Sequence, residues 1–368
     1  MESNRPAIVA AVIILAAVVL LLFSSGNGGG FDDTMPDDGG PEKRPEGTVT
    51  GPLPEGLTLD EVTGAIMSDG PVTWHVFNRL HTFYDTDRFG SFTSQYTGDK
   101  VTSESLPLEP GSYLVTVGGE SFDVKVYGTV ERTITWEHDK DGVSKRASVT
   151  YRIDMYDLLR EWDIAEGLNS SSNSDFANLP GLVVLSDTTS ELQRSLNAEY
   201  VKLGGSKSDV QGYLDFLVSM VQEGIAYPHT IPGHSWDYGT FGVDEYWSTP
   251  LQTLYLKIGD CEDNSALICA LLTEAGYRTA MGGKSGHAFA GVALDFDFVP
   301  VSTERLVALG VGHTKLTSHV AVNDVDGTVY YAIESIRKQT PVGYIGSVSF
   351  GSNTFWGLTG FYPVEASR

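Results

Sequence analysis

Gly259-Asp260-Cys261-Glu262-Asp263-Asn264-Ser265-Ala266-Leu267-Ile268-Cys269-Ala270-Leu271-Leu272-Thr273-Glu274-Ala275-Gly276-Tyr277 reads as one helix with both ends written into it. Asp260 is placed to cap the first turn and Asp263, three residues on, to reach back to it. Ala266, Leu267, Ala270, Leu271 and Ala275 form an apolar stripe at helical spacing, and Gly276 suits the residue that ends a helix. Cys261 therefore stands at a helix N-terminus, where unpaired N–H groups and the dipole favour a thiolate. That is a place for a nucleophile.

A nucleophilic cysteine works with a base. Gly286-His287-Ala288-Phe289-Ala290-Gly291-Val292-Ala293-Leu294 reads as a buried strand of small and apolar residues with His287 at its start. Thr328-Val329-Tyr330-Tyr331-Ala332-Ile333-Glu334-Ser335 reads as a second strand carrying one acid, Glu334, in an otherwise apolar run. A buried carboxylate is costly unless paired, and an imidazole on a neighbouring strand would pair it and fix the histidine's tautomer. Cys261, His287 and Glu334, on helix, strand and strand, are the parts of a Cys–His–acid hydrolase or acyltransferase. His319, in Ser318-His319-Val320, is the competing base. The small residues around His287, which let a helix approach closely, favour His287.

These residues resemble the transglutaminase-like cysteine enzymes, especially their archaeal and bacterial membrane-anchored branch. Phe216 to Tyr227 looks like that branch's helix before the nucleophile. Asp244-Glu245-Tyr246-Trp247-Ser248-Thr249-Pro250-Leu251-Gln252-Thr253-Leu254 looks like its approach to the Gly-Asp-Cys-Glu-Asp run, and Tyr330 to Ser335 like its aromatic strand ending in Glu-Ser. The resemblance runs from about Thr133 to the C-terminus. It departs from the common pattern at Glu334, where most members have Asp, and in Asp295 to Val311, which looks like an inserted loop. It implies an α+β, papain-like domain with the nucleophile helix packed on an antiparallel sheet. Bacterial proteases of the family with a similar Asp-Cys-Glu-Asp run bind calcium there, so Asp260, Glu262 and Asp263 become candidate calcium ligands, three carboxylates suiting that hard cation. Helix capping is the plainer reading of the same acids.

The chain opens with Met1 to Pro6 and then seventeen uninterrupted apolar residues, Ala7 to Phe23. We read residues 7–23 as a transmembrane anchor with a cytoplasmic N-terminus, a cleaved signal being the alternative. Everything after it then lies outside the cytoplasm. Residues 24–56, rich in Gly, Asp, Pro and Glu, read as a flexible spacer. Residues 57–130 read as a β-rich, sandwich-like module, with a hairpin turning at Gly118-Gly119 between alternating runs. By the resemblance, residues 131–368 are expected to form a transglutaminase-like domain, its catalytic core at 210–345. It opens on a hairpin around Asp139–Gly142, with helices expected at Met155–Ala165, Ser190–Tyr200 and Val210–Gln222. Asn169-Ser170-Ser171 is a glycosylation sequon expected on the surface.

The formal charge is −24, from 48 acids against 24 bases. Such an excess repels nucleic acid and anionic lipid heads, and points to a halophile, where salt screens the self-repulsion. A plain acidic extracellular protein is the alternative. Cys261 and Cys269 are the only cysteines. Eight residues of helix separate them by about 12 Å, beyond disulfide reach, so Cys269 reads as core. No zinc pattern exists, and His229 and His234 read as loop residues. Gly282-Gly283-Lys284-Ser285 lacks the leading glycine of a phosphate loop.

The mechanism expected is acyl transfer through a thioester on Cys261, with the Cys261 N–H supplying half of an oxyanion hole. Trp247 and Gln252 are candidates for the other half. The substrate expected is a protein or peptide at the cell surface, attacked by water. An amine acceptor would make the enzyme a crosslinking acyltransferase, and a non-catalytic binding module is the reading from a different class.

Overall fold

The computed structural model describes residues 44–70, 72–80, 93–97, 108–140, 143–170, 176–228, 233–235, 237–284, 286–294, 320–322, 328–336, 338, 340–343 and 361–365. The expected anchor at 7–23, most of the expected spacer, His229, His319 and the stretch read as an inserted loop lie outside these residues. Among the described residues no helix is long and apolar enough to cross a membrane. The described chain is mixed α and β, with antiparallel sheets.

The N-terminal β module contains β1 (Gly47–Thr50), β2 (Leu57–Asp60), β3 (Ala65–Ser68), β4 (Thr73–Asn78), β5 (Thr93–Thr97), β6 (Gly111–Val117) and β7 (Glu120–Tyr127). Five of them form one antiparallel sheet in the order β1-β7-β6-β4-β5, and β2 and β3 form a separate hairpin. The alternation that marks β6 and β7 in the sequence places Val115, Val117, Phe122, Val124 and Val126 on one face. There they close on Trp74, Val76 and Ile66, the last supplied by the β2–β3 hairpin. Gly118 and Gly119 make the turn with φ of 62° and 92°, values that glycine adopts at no steric cost. Strand β1 lies inside the stretch read as a spacer. It is held by its ladder with β7, from Gly47–Tyr127 to Thr50–Val124, while Val49 stays 47% exposed. Backbone pairing without side-chain burial leaves no apolar pattern to read.

The second part begins with β8 (Thr129–Lys140) and β9 (Val143–Asp154), paired in register over their whole length. Ile134, Trp136, Ala147, Val149, Tyr151 and Ile153 alternate into the core, and Thr133, Thr135, Ser148 and Thr150 pair on the other face. Then come α1 (Met155–Ser170), a 3-10 turn (Phe176–Leu182), α2 (Asp187–Lys202), α3 (Val210–Gly224), the short α4 (Tyr238–Phe241), α5 (Pro250–Leu256) and α6 (Cys261–Glu274). Strands β10 (Thr279–Lys284), β11 (His287–Ala293), β12 (Val320–Val322), β13 (Val329–Ile333) and β14 (Phe361–Pro363) form an antiparallel sheet in the order β12-β13-β11-β10-β14. Gly282 and Gly283 are therefore strand residues, not a phosphate loop.

Helix α6 lies on β10 and β11 and is ringed by α2, α3 and α5, so Cys261 to Leu272 are all buried. Burial is thus wider than the apolar stripe, and the polar residues sit at the N-terminal pole. Ala288, Ala290 and Val292 join the same core as α6, their small size allowing the close approach. Gly291 serves a different contact: a Cβ there would lie 2.5 Å from the Phe361 ring.

Candidate active site

The N-terminus of α6 is built by local bonds. The side chain of Asp260 accepts from the backbone at Asp263, and Asp263 Oδ2 accepts from the Asp260 N–H at 3.4 Å. Asp263 Oδ1 accepts from the Ser248 N–H at 2.7 Å, which fastens the preceding loop to the helix. Gly259 passes so close that a Cβ would meet Asp263 Cβ at 2.9 Å and Thr253 Cγ2 at 3.0 Å. Cys261 is thereby fixed at the first helical position, 8% exposed.

Several contacts converge on Cys261. Its thiol donates to Glu262 Oε2 at 3.0 Å, and its Sγ accepts from the Ala288 N–H at 3.3 Å. Its carbonyl accepts from Ser265 Oγ at 2.6 Å and from Ser335 Oγ at 3.0 Å. Gly286 turns the chain from β10 into β11 with φ of 78°, which sets His287 as the first residue of its strand. Ala290 pairs with Ile333 across β11 and β13, so Glu334, one step past its strand, reaches back toward His287. His287 Nε2 lies 3.4 Å from Glu334 Oε1. Burial works against the imidazolium, yet hydrogen bonds to Cys261 and Glu334 and their negative charge outweigh it and push His287 up to about 10. By contrast burial pushes the Cys269 thiol up to about 12, with Cys269 Sγ directed at the Ala280 carbonyl.

The loop before Cys261 is held from outside. Asn169 Oδ1 accepts from the Trp247 N–H at 2.9 Å and Asn169 Nδ2 donates to the Trp247 carbonyl at 3.0 Å. The sequon asparagine is therefore half-buried and its amide is occupied by the fold, contrary to the surface role expected. Glu161 of α1 accepts from the Leu251 N–H at 3.0 Å, steadying the start of α5. Trp247 Nε1 donates to Glu245 Oε1, and Gln252 caps Thr249 through Oε1 while Nε2 donates to Tyr246 Oη. Both candidate oxyanion donors are thus engaged with their own loop. Thr249-Pro250-Leu251-Gln252 is itself a capping-box pattern, a signal in the sequence for that role. His234 is an exposed loop residue, stacked on Tyr238 and 3.3 Å from Asp244 Oδ1.

Carboxylates crowd this pole. Asp237, Asp260, Glu262 and Asp263 are buried, and Glu245 is exposed beside them. One ligand oxygen each from Asp237, Asp260 and Asp263 lie within 4.8 Å of one another, as do oxygens from Asp237, Glu245 and Glu262. Burial, followed by the charges of Asp260 and Asp263, pushes Asp237 up to about 10. Burial lifts Asp260 to about 6, and burial followed by the Asp260 charge holds Glu262 and Asp263 well above the usual carboxylate range. Like charges this close cannot all ionise without protons or a cation among them. Asp237 Oδ1, Asp260 Oδ1 and Glu262 Oε1 are buried without a hydrogen-bond partner. An all-oxygen donor set with orphaned buried oxygens fits a calcium ion. Asp263 contributes less than its place in the sequence implies, because each of its oxygens already takes a backbone N–H. Asp237 and Glu245 were not legible as partners of this cluster, since only tertiary packing brings them to α6.

Tyr227 belongs to the same pole. Its neighbour Ala226 pairs with the segment entering α6, through the Ala226 N–H to Lys257 carbonyl and Gly259 N–H to Ala226 carbonyl bonds at 2.9 and 3.0 Å. Burial, then the charges of Cys261, Asp260 and Glu262, raise its phenol far above the ordinary range. A thiol at a helix start, an imidazole facing it and a buried carboxylate behind the imidazole together can carry nucleophilic acyl transfer. No family model, curated protein or solved structure matches the chain.

Proposed function

We propose that this chain is a transglutaminase-like cysteine hydrolase, anchored in the cell membrane with its catalytic domain outside, that cleaves amide bonds in proteins or peptides. The Cys261–His287–Glu334 constellation at the start of a buried helix is the observation that carries this reading. His287 takes the thiol proton and the Cys261 thiolate attacks the amide carbonyl. The Cys261 N–H, free of intrahelical partners at the first position, faces the developing oxyanion. His287 then gives its proton to the departing amine, leaving a thioester. Water, deprotonated by His287, releases the acid and restores the thiol. Glu334 holds the imidazole and stabilises its cation throughout. Asp237, Asp260 and Glu262 would hold a calcium ion with Glu245 at the mouth, and the ion would neutralise the negative charge beside the nucleophile.

Iodoacetamide labelling of the purified protein in high salt, mapped by peptide mass, tests this. Cys261 should label fast and Cys269 not at all, and His287→Ala should slow the labelling of Cys261. Equal labelling of the two cysteines, or wild-type speed in His287→Ala, would refute the assignment. Against a panel of peptides, release of amine with uptake of water marks the hydrolase, and incorporation of an added amine marks a crosslinking enzyme.

A further inference from the structure

We propose that Ser335 is a positioning residue that locks the acid-bearing strand to the nucleophile's own peptide unit. The proposal rests on the Cys261–His287–Glu334 reading and deepens it. The contacts form a closed ring through three elements. Ser335 Oγ donates to the Cys261 carbonyl at 3.0 Å, and Ser335 is covalently next to Glu334. Glu334 Oε1 lies 3.4 Å from His287 Nε2, and His287 is covalently next to Ala288. The Ala288 N–H then returns to Cys261 Sγ at 3.3 Å. The ring fixes sulfur, imidazole and carboxylate relative to one another.

Two further features make the serine more than a buried hydroxyl that found a partner. The Cys261 carbonyl already accepts from Ser265 Oγ at 2.6 Å, from within its own helix. A carbonyl oxygen has two lone pairs, so losing Ser335 leaves no orphaned acceptor and little reason for lost stability. The acid's side of the ring is clamped separately. Gln222 of α3 is buried and donates from Nε2 to the Glu334 carbonyl at 2.6 Å and to the Thr340 carbonyl at 3.1 Å. Without Ser335 the acid stays fixed to α3 while the nucleophile helix loses its direct side-chain tie to the residue next to the acid. A displacement near 1 Å in such a constellation lowers rates by about a hundredfold.

The test compares Ser335→Ala, Ser335→Thr and Ser265→Ala in the full chain, using the second-order rate of iodoacetamide at Cys261 and the melting temperature. Ser335→Ala should label at least tenfold more slowly than wild type with its melting temperature nearly unchanged. Ser335→Thr, which keeps the hydroxyl, should recover most of the rate, and Ser265→Ala should stay within threefold of wild type. Wild-type labelling in Ser335→Ala, an equal loss in Ser265→Ala, or a well-folded Ser335→Thr no faster than Ser335→Ala would overturn the proposal. So would a collapsed melting temperature in Ser335→Ala, which would make the serine a packing residue. A fast wild type with an unaffected Ser335→Ala sinks this inference alone, whereas a wild-type Cys261 no faster than a free thiol sinks the enzyme reading as well.

Discussion

His287 Nε2 stands 3.4 Å from Glu334 Oε1, and the two side chains are 4% and 0% exposed. A carboxylate so deeply buried is tolerated because the imidazole facing it can carry the opposite charge. Cys261 meets the same ring, so the histidine is held between two groups that become negative.

The histidine makes stability depend on pH in a defined direction. His287 is raised from 6.5 to about 10, so its contribution is complete below about pH 6.5 and fades as the pH climbs through 10. Glu334→Gln removes the charge that sustains the imidazolium. The wild type should exceed this variant by about 2 kcal/mol near pH 6.5, and the gap should close toward pH 10. Chemical denaturation at a series of pH values measures it. A gap that widens with pH would mean the histidine is neutral in the folded protein.

Glu161 predicts a slope of the same sign over a lower range of pH. Burial pushes its carboxyl up to about 8, against the Leu251 N–H bond that favours the anion. A carboxyl raised on folding contributes most below its unfolded value near 4.5, and that contribution is lost as pH rises toward 8. Glu161→Gln keeps an oxygen for the Leu251 N–H and needs no proton. It should match the wild type near pH 4.5 and be the more stable by on the order of 3 kcal/mol at pH 8. Equal melting curves at pH 8 would show that the carboxyl ionises without penalty.

How much of this was readable in advance follows from the range of each interaction. Helix α6 was legible because its signals are local: an Asp260–Asp263 pair, an apolar stripe and Gly276. The Gly118-Gly119 hairpin was legible for the same reason. Cys261, His287 and Glu334 could be singled out because each breaks the pattern of the element that carries it. Asn169 grips Trp247 across 78 positions and Ser335 reaches Cys261 across 74. Neither contact leaves a periodicity or spacing in the chain. Asp237 likewise lies in a polar loop whose composition gives no reason to bury it, and β1 is held by backbone bonds that any short sequence can make.

The acid cluster predicts a crossing of stabilities. With chelator present, Asp237 must be held protonated in a buried site already crowded by Asp260, Glu262 and Asp263, and Asp237→Asn, which needs no proton, should raise the melting temperature. With calcium present, the wild type gains the free energy of binding, about 2.7 kcal/mol at a hundredfold excess over Kd. Asp237→Asn, short of one ligand, should gain far less. Glu245→Gln should behave the same way with smaller amplitude, since Glu245 is exposed. Thermal melts of the three proteins with chelator and with millimolar calcium decide the matter. Parallel shifts in all three would remove Asp237 from the ligand set.

Gly259 predicts what happens when the entry to α6 is disturbed without touching a reacting group. A Cβ would press on Asp263 Cβ at 2.9 Å, Asn264 Oδ1 at 3.0 Å and Thr253 Cγ2 at 3.0 Å. Asp263 cannot retreat without giving up its bonds to the Ser248 and Asp260 N–H groups. Overpacking of this kind costs about 1–3 kcal/mol, so Gly259→Ala should melt lower by several degrees. Because Asp263 is the link between the 244–249 loop and the helix start, Cys261 labelling should also slow, by about tenfold if the first turn shifts by a few tenths of an ångström. Leu267→Ala, deeper in the same helix, offers the comparison: a cavity of similar or larger cost, about 2–5 kcal/mol, with the helix start left in place. If both variants melt early and only Gly259→Ala loses Cys261 reactivity, the cap geometry governs the reactivity of Cys261. If reactivity follows the melting temperature in both, the site depends on global packing instead.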